Sequence, residues 1–568
     1  MRNCRADCST NLVFGAIFLL LLELVPAAAQ TGAPTPLTPS APAPAPQAPT
    51  PAAPVPPTGG SQIETAPLAE IINDADGPLE GTAGLGIDLW RGTSRSLAET
   101  LVPQIPTTSS LAERGLIRRL LLTSATPPDG NRSADFFRLR AERLLALGYA
   151  ADAASLLMLA PGAGKDPAAA AEFADALLLA GSLDKVCALP ERNPAFAADP
   201  AGERLQIFCA MRAGDRDRAY FLFDVMREQG PDDPAFASAL SIADGAKSTL
   251  PADATPSPIV IALLAQGKAA PPDRWFKSAD LAELASLLAL PGASEAKISA
   301  AERATRLGLV EPNVLGAAYD ALAVSGAERE EAATVAPNTI RRRAALHQAV
   351  QQATEAPRRG KLIAQALAMP VAEPLWTVNA NLYAPMLRNL APSRDLAGFA
   401  PNFARALYLA GEGEAARRWV VIARGNAGDS NVAAALPGLA LLSALAGEKD
   451  ATWNRAARQL AEKPRPTPEG ARLAAIARLL PLKTAAPPQS APPAGGLFDP
   501  GLGLALRNAA AARRVGETVL FALLALGDRG PASADPAALG EALMALGRIG
   551  LESDVVKLAT EAAVANGA

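Results

Sequence analysis

The run DPAAAAEFADALLLAGSLDKVCALPERNPAFAADPAGERLQIFCAMRAG, residues 166–214, decides the fold. It opens on Asp166-Pro167, reaches Gly181, restarts at Asp199-Pro200 and ends on Gly214. The same punctuation extends outward, to Ser133 and Gly148 on one side and Asp233-Pro234 on the other. The starts recur at steps of 33, 33 and 34 residues, and each glycine follows its start by 15. A period of about 33–34 residues is the length of one helix–turn–helix unit. Ser or Asp supplies an oxygen for the free N–H groups at a helix start. Proline at the first helical position gives up no needed donor. Glycine takes the left-handed conformation that ends a helix.

Within the first unit, Phe137, Ala141, Leu144 and Leu145 share one helical face. Ala153, Leu157 and Ala160 line the second helix, and Pro161 ends the unit. The small Ala141 and Ala153 let the two helices approach closely. A second match is Phe403, Ala404, Leu407, Gly411, Ala416, Val420 and Ala423. A third runs from Asp535-Pro536 through Leu539, Leu546, Gly550, Val555, Ala559 and Ala562. Around Gly326 and Gly447 only a turn and a few apolar positions survive. These units resemble tetratricopeptide-type repeats, although that family's tryptophan and tyrosine positions are mostly aliphatic here. The resemblance implies an α-α superhelix, a solenoid of stacked hairpins of the kind found in the bacterial envelope.

Composition agrees with an all-α fold. Hydrophobic residues make up 49% of 568 positions but aromatics only 4%, so alanine and leucine must form the core. Strand-like alternation is nearly absent.

Residues 1–29 read as a signal peptide. Arg2 and Arg5 precede an apolar core from Leu12 to Leu22, and Ala27-Ala28-Ala29 offers a small-residue cleavage site. The competing reading, an uncleaved inner-membrane anchor, suffers because Glu23 interrupts a run short of the ~20 residues a span needs. Residues 30–64 form an Ala/Pro/Thr-rich segment with little to bury, expected to be a disordered linker. The solenoid and its N-terminal cap then occupy 65–483. In the cap, Ser96 with Glu99 and Ser110 with Glu113 have capping-box spacing, which predicts helices at about 96–103 and 111–123. Trp90 reads as a packing anchor under the first hairpin. Prolines at 251, 256, 258, 271 and 272 break the rhythm, and regular helices resume at Asp280 with Glu283. A second Pro-rich linker, 484–501, leads to C-terminal helical hairpins at 502–568, read as a cap or a tethered subdomain.

Of four cysteines, Cys4 and Cys8 fall in the signal segment. Cys187 and Cys209 remain, on apolar faces of helices that the repeat makes neighbours. One pair in an oxidising compartment predicts a disulfide, against two buried free thiols. Two sulfurs without nearby histidines make a poor zinc site.

Net charge is −4, which disfavours nucleic acid as a partner. The runs Arg341-Arg342-Arg343 and Arg358-Arg359 with Lys361 read as solvated helix faces, the alternative being contact with an anionic polymer or membrane surface. No catalytic motif is found. His347 is the chain's single histidine and sits in an Arg-rich amphipathic helix, which predicts a surface or groove position. There is no GxSxG, HExxH or phosphate-binding glycine loop. Paired carboxylates remain conceivable, but Glu330-Glu331 and Asp74 with Asp76 read as solvated acids. The expectation is an exported, non-catalytic scaffold without cofactor or metal, periplasmic or secreted, binding envelope proteins or peptides. A cell-wall enzyme or its regulatory subunit, and a membrane-anchored spacer, are the alternatives.

Overall fold

The computed structural model describes residues 74–130, 135–160, 166–333, 338–368, 373–462, 466–480 and 498–568. Residues 1–29, read as a signal peptide, and the segments 30–64 and 484–497, read as linkers, lie outside them. The described residues belong to one compact unit, Glu70–Ala568.

The fold is all-α. The described residues contain no named strand, only isolated bridges between Leu79 and Thr123 and between Ser94 and Asp129. Helices α1 (Arg95–Leu101) and α2 (Leu111–Leu122) form the N-terminal region. Two hairpins follow: α3 (Phe136–Ala146) with α4 (Ala150–Leu157), then α5 (Pro167–Leu179) with α6 (Leu183–Cys187). Two short helices, α7 (Leu189–Arg192) and α8 (Pro194–Ala197), lead to the hairpin of α9 (Pro200–Arg212) and α10 (Arg216–Gln229).

The repeat punctuation works as the sequence predicts. Asp166, Asp199, Asp233 and Asp535 each cap a helix that starts on proline. Gly148, Gly181, Gly214, Gly411, Gly447 and Gly550 all have positive φ. Asp280 and Glu283 complete a capping box. Four readings shift. The first unit's helix is capped by Asp135, with Phe136 and Phe137 in the core, and Ser133 lies outside the described residues. Ser94, not Ser96, caps α1, and Glu99 pairs with Arg95 instead. Ser110 caps α2, but the Glu113 carboxyl accepts from Thr108. Gly326 is no turn glycine; it is the first residue of a helix capped by Ser325. The second helix of the Cys187 unit is also broken into three, because Pro190 and Pro194 lack the N–H that a continuous helix needs.

The proline-rich region holds α11 (Pro234–Ala243), α12 (Pro258–Gln266) and α13 (Trp275–Ser278). Here α12 folds back to pack on α5 and α9. Next come α14 (Leu281–Ala289), α15 (Glu295–Arg306), α16 (Pro312–Ala321) and α17 (Gly326–Glu331). They continue into α18 (Ile340–Gln352), α19 (Ala356–Ala368) and α20 (Glu373–Asn389). Two hairpins succeed them: α21 (Ala400–Leu409) with α22 (Gly413–Gly425), and α23 (Ser430–Leu445) with α24 (Ala451–Glu462). The C-terminal helices are α25 (Pro468–Ala477), α26 (Pro500–Ala511), α27 (Val515–Leu526), α28 (Gly530–Ser533), α29 (Pro536–Arg548) and α30 (Glu552–Ala565). The last hairpins thus begin at Pro500, capped by Asp499, two residues before the predicted start.

Many sequence-adjacent helices pack as hairpins, α3 with α4, α9 with α10 and α21 with α22 among them, but packing also joins distant segments. Helix α14 lies on α3 and α5, and α30 lies on α21, α23, α25 and α2. The contacts from α2 through α3, α14, α15, α20, α21 and α30 return to α2, closing a circuit. Trp90 shows how the closure is made. It is fully buried and meets the Phe136 ring edge-on at 5.4 Å. It also lies against Gly516 of α27, whose N–H donates to the Leu89 carbonyl at 2.8 Å. Trp90 is therefore a packing anchor, set between the first hairpin and the C-terminal helices.

Candidate functional site

The strongest concentration of polar groups lies where α15, α16, α18 and α20 meet. Glu302 comes from α15, Tyr319 and Asp320 from α16, Arg343, His347 and Gln348 from α18, and Tyr383 from α20. Spacing on α18 explains the grouping: residues 343 and 347 are one helical turn apart, so both reach the same neighbours. Arg343 donates to both Glu302 oxygens, at 2.7 and 2.8 Å. The Tyr319 hydroxyl donates to Glu302 Oε1 at 2.7 Å. Burial works against the Arg343 charge, yet hydrogen bonding to Glu302 holds its pKa above the ordinary value. Burial and the Glu302 charge push the Tyr319 hydroxyl well up.

His347 is buried, contrary to the surface or groove position its Arg-rich helix predicts. Its ring lies between Tyr319 and Tyr383, with centroids 5.5 and 5.8 Å away. Nδ1 is 3.3 Å from the Tyr383 hydroxyl, and Nε2 is 3.7 Å from the half-exposed carboxylate of Asp320. Gly316 makes room: a Cβ there would stand 3.5 Å from Nε2. Burial lowers the His347 pKa, and Asp320 opposes that shift. Gln348 donates to the carbonyls of Tyr319 and Leu322, each at 2.9 Å. This layer contains a base and phenols. Its hydrogen bonds tie helix to helix.

The first basic run is likewise not a solvated face throughout. Arg343 is buried as described, and Arg341 pairs with Glu328. That pairing holds the Glu328 carboxyl down at about 2. The second run does reach the surface. Arg358 and Lys361 of α19 are exposed, whereas Arg359 turns to the Ala353 carbonyl at 2.5 Å.

Arg358 and Lys361 line a cavity of about 400 Å³ together with Arg329 and Glu330 of α17. Its floor is apolar, from Ala333, Ala349 and Leu362, and Gln365 closes one side. Gln365 gives its amide N–H to the Ala333 carbonyl at 2.7 Å, and its buried Oε1 has no hydrogen-bond partner. Among the described residues, none of the three cations is in an ion pair. A cavity of this size falls within the ~300–1,000 Å³ of ligand pockets. Arg329 is the member that sequence reasoning misses. It lies 29 positions before Arg358, and only the packing of α17 and α19 on α18 makes them neighbours.

The remaining candidates sort as follows. The sulfurs of Cys187 and Cys209 lie at disulfide distance, 1.98 Å, with Cα atoms 5.6 Å apart. Asp74 is buried and pairs with Arg95 at 2.8 Å, so it is no solvated acid. Asp76 is half-buried and accepts from Ser124. A second cavity, about 460 Å³, lies at the ends of α11 and α12, with Lys268 as its single charged side chain. No group of three or more His, Cys, Asp and Glu side chains among the described residues is arranged to hold a metal ion. No helix among them is long and apolar enough to cross a membrane. No family model matches the chain, and no curated protein or solved structure matches it.

Proposed function

We propose that this protein is exported and serves as a non-catalytic helical scaffold that binds protein or peptide segments in the cell envelope. The observation that carries the reading is the cleft of α17, α18 and α19. Three cations, none in an ion pair among the described residues, line it together with Glu330 and the apolar Ala333, Ala349 and Leu362. Such a cleft suits a segment that brings an aliphatic side chain flanked by carboxylates, since apolar contact supplies affinity and charge supplies orientation. The disulfide-distance pair suits an oxidising compartment. The basic start, apolar core and Ala-Ala-Ala site of residues 1–29 supply a route there.

The test is crosslinking in intact cells, with the wild-type chain compared with a double variant, Arg358→Glu with Lys361→Glu. Both residues are exposed, so the variant leaves the core untouched. The expected result is at least one envelope protein crosslinked to the wild type and reduced about tenfold or more in the variant, as loss of two oriented charges implies. Identical crosslinked species from both chains would remove the cleft from the reading. A chain found wholly in the cytoplasm with residues 1–29 intact would end it.

A further inference from the structure

The two ends of the described unit meet at α2, and an unusual carboxyl sits in the joint. Glu561 of α30 caps α2 from 451 residues away: its Oε2 accepts from Ser110 Oγ at 2.9 Å and from the Ala112 N–H at 3.1 Å. Asp528, just before α28, accepts from the Thr107 N–H at 3.0 Å. Arg119 of α2 pairs with Asp554 of α30 at 2.5 Å. Between these contacts lies Glu113, with no exposed surface. Among the described residues, its Oε2 accepts one hydrogen bond, from Thr108 Oγ1 at 2.6 Å, and its Oε1 has no partner. The backbone of Gly530 closes over it, so near that a Cβ there would stand 2.9 Å from Oε2.

The charged groups around Glu113 do not favour a carboxylate. From α30 it meets Glu561, and from the segment before α28 it meets Asp528, both acidic. The cations nearby are engaged elsewhere. Arg114 donates to the carbonyls of Thr108 and Leu147 and to the Tyr149 hydroxyl. Arg143 of α3 donates to the Ile105 carbonyl and the Thr107 hydroxyl. Burial raises the Glu113 pKa well above the carboxylate range. The Thr108 hydrogen bond opposes this, and Glu561 and Asp528 add to it.

We propose that this joint is a proton-operated latch: Glu113 in its neutral form lets α2 seat against α28 and α30, and loss of its proton releases α2 from them. In the released form the carboxyl is hydrated and regains an ordinary pKa of about 4.3. The seated form therefore holds a proton that the released form gives up. Linkage fixes the direction. Closure is fully favoured below the ordinary pKa and weakens as pH rises toward the raised one, by up to about tenfold per pH unit for one proton.

Hydrogen exchange of the full-length protein at pH 6 and pH 8, corrected for intrinsic rates, tests this. Peptides covering 105–118 and 528–565 should lose about tenfold or more of their protection at pH 8. Peptides from α5, remote from the joint, should hold theirs. Glu113→Gln, which cannot ionise, should cut the change at both ends of the joint below about threefold. Glu113→Met serves the same purpose should the Gln variant misfold, since it leaves no polar group to satisfy. Equal protection at the two pH values in the wild type would overturn the latch. So would a pH response in either folded variant as large as in the wild type.

Discussion

Glu302 and Arg343 face each other across α15 and α18 through two parallel hydrogen bonds, and both side chains are almost fully buried. Two charges taken out of water this far are tolerable only as a pair. Removing one partner leaves the other buried and uncompensated. Glu302→Gln should therefore destabilise the cooperative unit by about 3–5 kcal/mol. Pairing Glu302→Leu with Arg343→Met should recover most of that loss. Urea denaturation of the three chains decides the matter, and a single variant within about 1 kcal/mol of wild type would show the pair to be idle.

His347 gives a pH dependence of opposite sense to Glu113. Burial lowers its pKa, so the folded chain prefers neutral imidazole. The unfolded chain takes up a proton near pH 6.5. The stability contributed by neutral His347 is thus present above about pH 6.5 and lost as pH falls below it. Melting temperature measured from pH 7.5 down to 5.5 should fall further for wild type than for His347→Phe. Parallel curves for the two proteins would contradict the assignment.

Cys187 and Cys209 should resist thiol labelling in unreduced protein taken from an oxidising compartment. Their loop spans 22 residues, for which chain entropy gives about 3 kcal/mol. Cys187→Ser should lower protection mainly in α5, α6 and α9. Two reactive thiols after unfolding without reductant is the outcome that rejects the bond.

Two glycines should respond oppositely to the same change. A Cβ on Gly516 would stand 2.6 Å from Trp90 Cε3 and 2.9 Å from the Leu89 carbonyl oxygen. Gly516→Ala should cost about 1–3 kcal/mol, because neither a buried ring nor a hydrogen-bonded backbone can yield cheaply. Gly547, inside α29, has nothing within 4 Å of its Cβ position. Gly547→Ala should stabilise by about 0.5–1 kcal/mol through helix propensity alone. Thermal denaturation of both variants is a sufficient check, and equal shifts would discredit the packing argument.

The local punctuation of this fold is legible in the chain because caps and turns depend on neighbours in sequence. Asp166, Asp199 and Asp233 do what their spacing says, and so do Gly148, Gly181 and Gly214. Ambiguity enters where two cap-competent residues stand close together, as with Ser94 and Ser96. Core burial then selects one. Gly267 shows a subtler limit. It looks like the turn glycine after α12, but a Cβ there would strike the Ile242 carbonyl oxygen at 2.6 Å. Close approach of α11 claims the glycine, and Lys268 takes the left-handed conformation instead. The polar layer was half visible. Arg343 and His347 sit on a recognisable helix, but an Arg-rich helix reads as solvated unless its partners are known. Glu302, Tyr319 and Tyr383 come from three other helices. Nothing in their spacing announces that they surround α18.

The bond between Ser110 and Glu561 also dictates an order of events. A ribosome releases α2 long before α30 exists, so the first helix of the circuit must wait, uncapped by Glu561, for nearly the whole chain. Its hairpin neighbours can form meanwhile from contacts between adjacent helices, which close quickly because their loops are short. The packing of α30 forms last, on α2 as on α21, α23 and α25. Until α27 and α30 have folded, the Gly516 side of Trp90 and the Glu113 carboxyl stay hydrated.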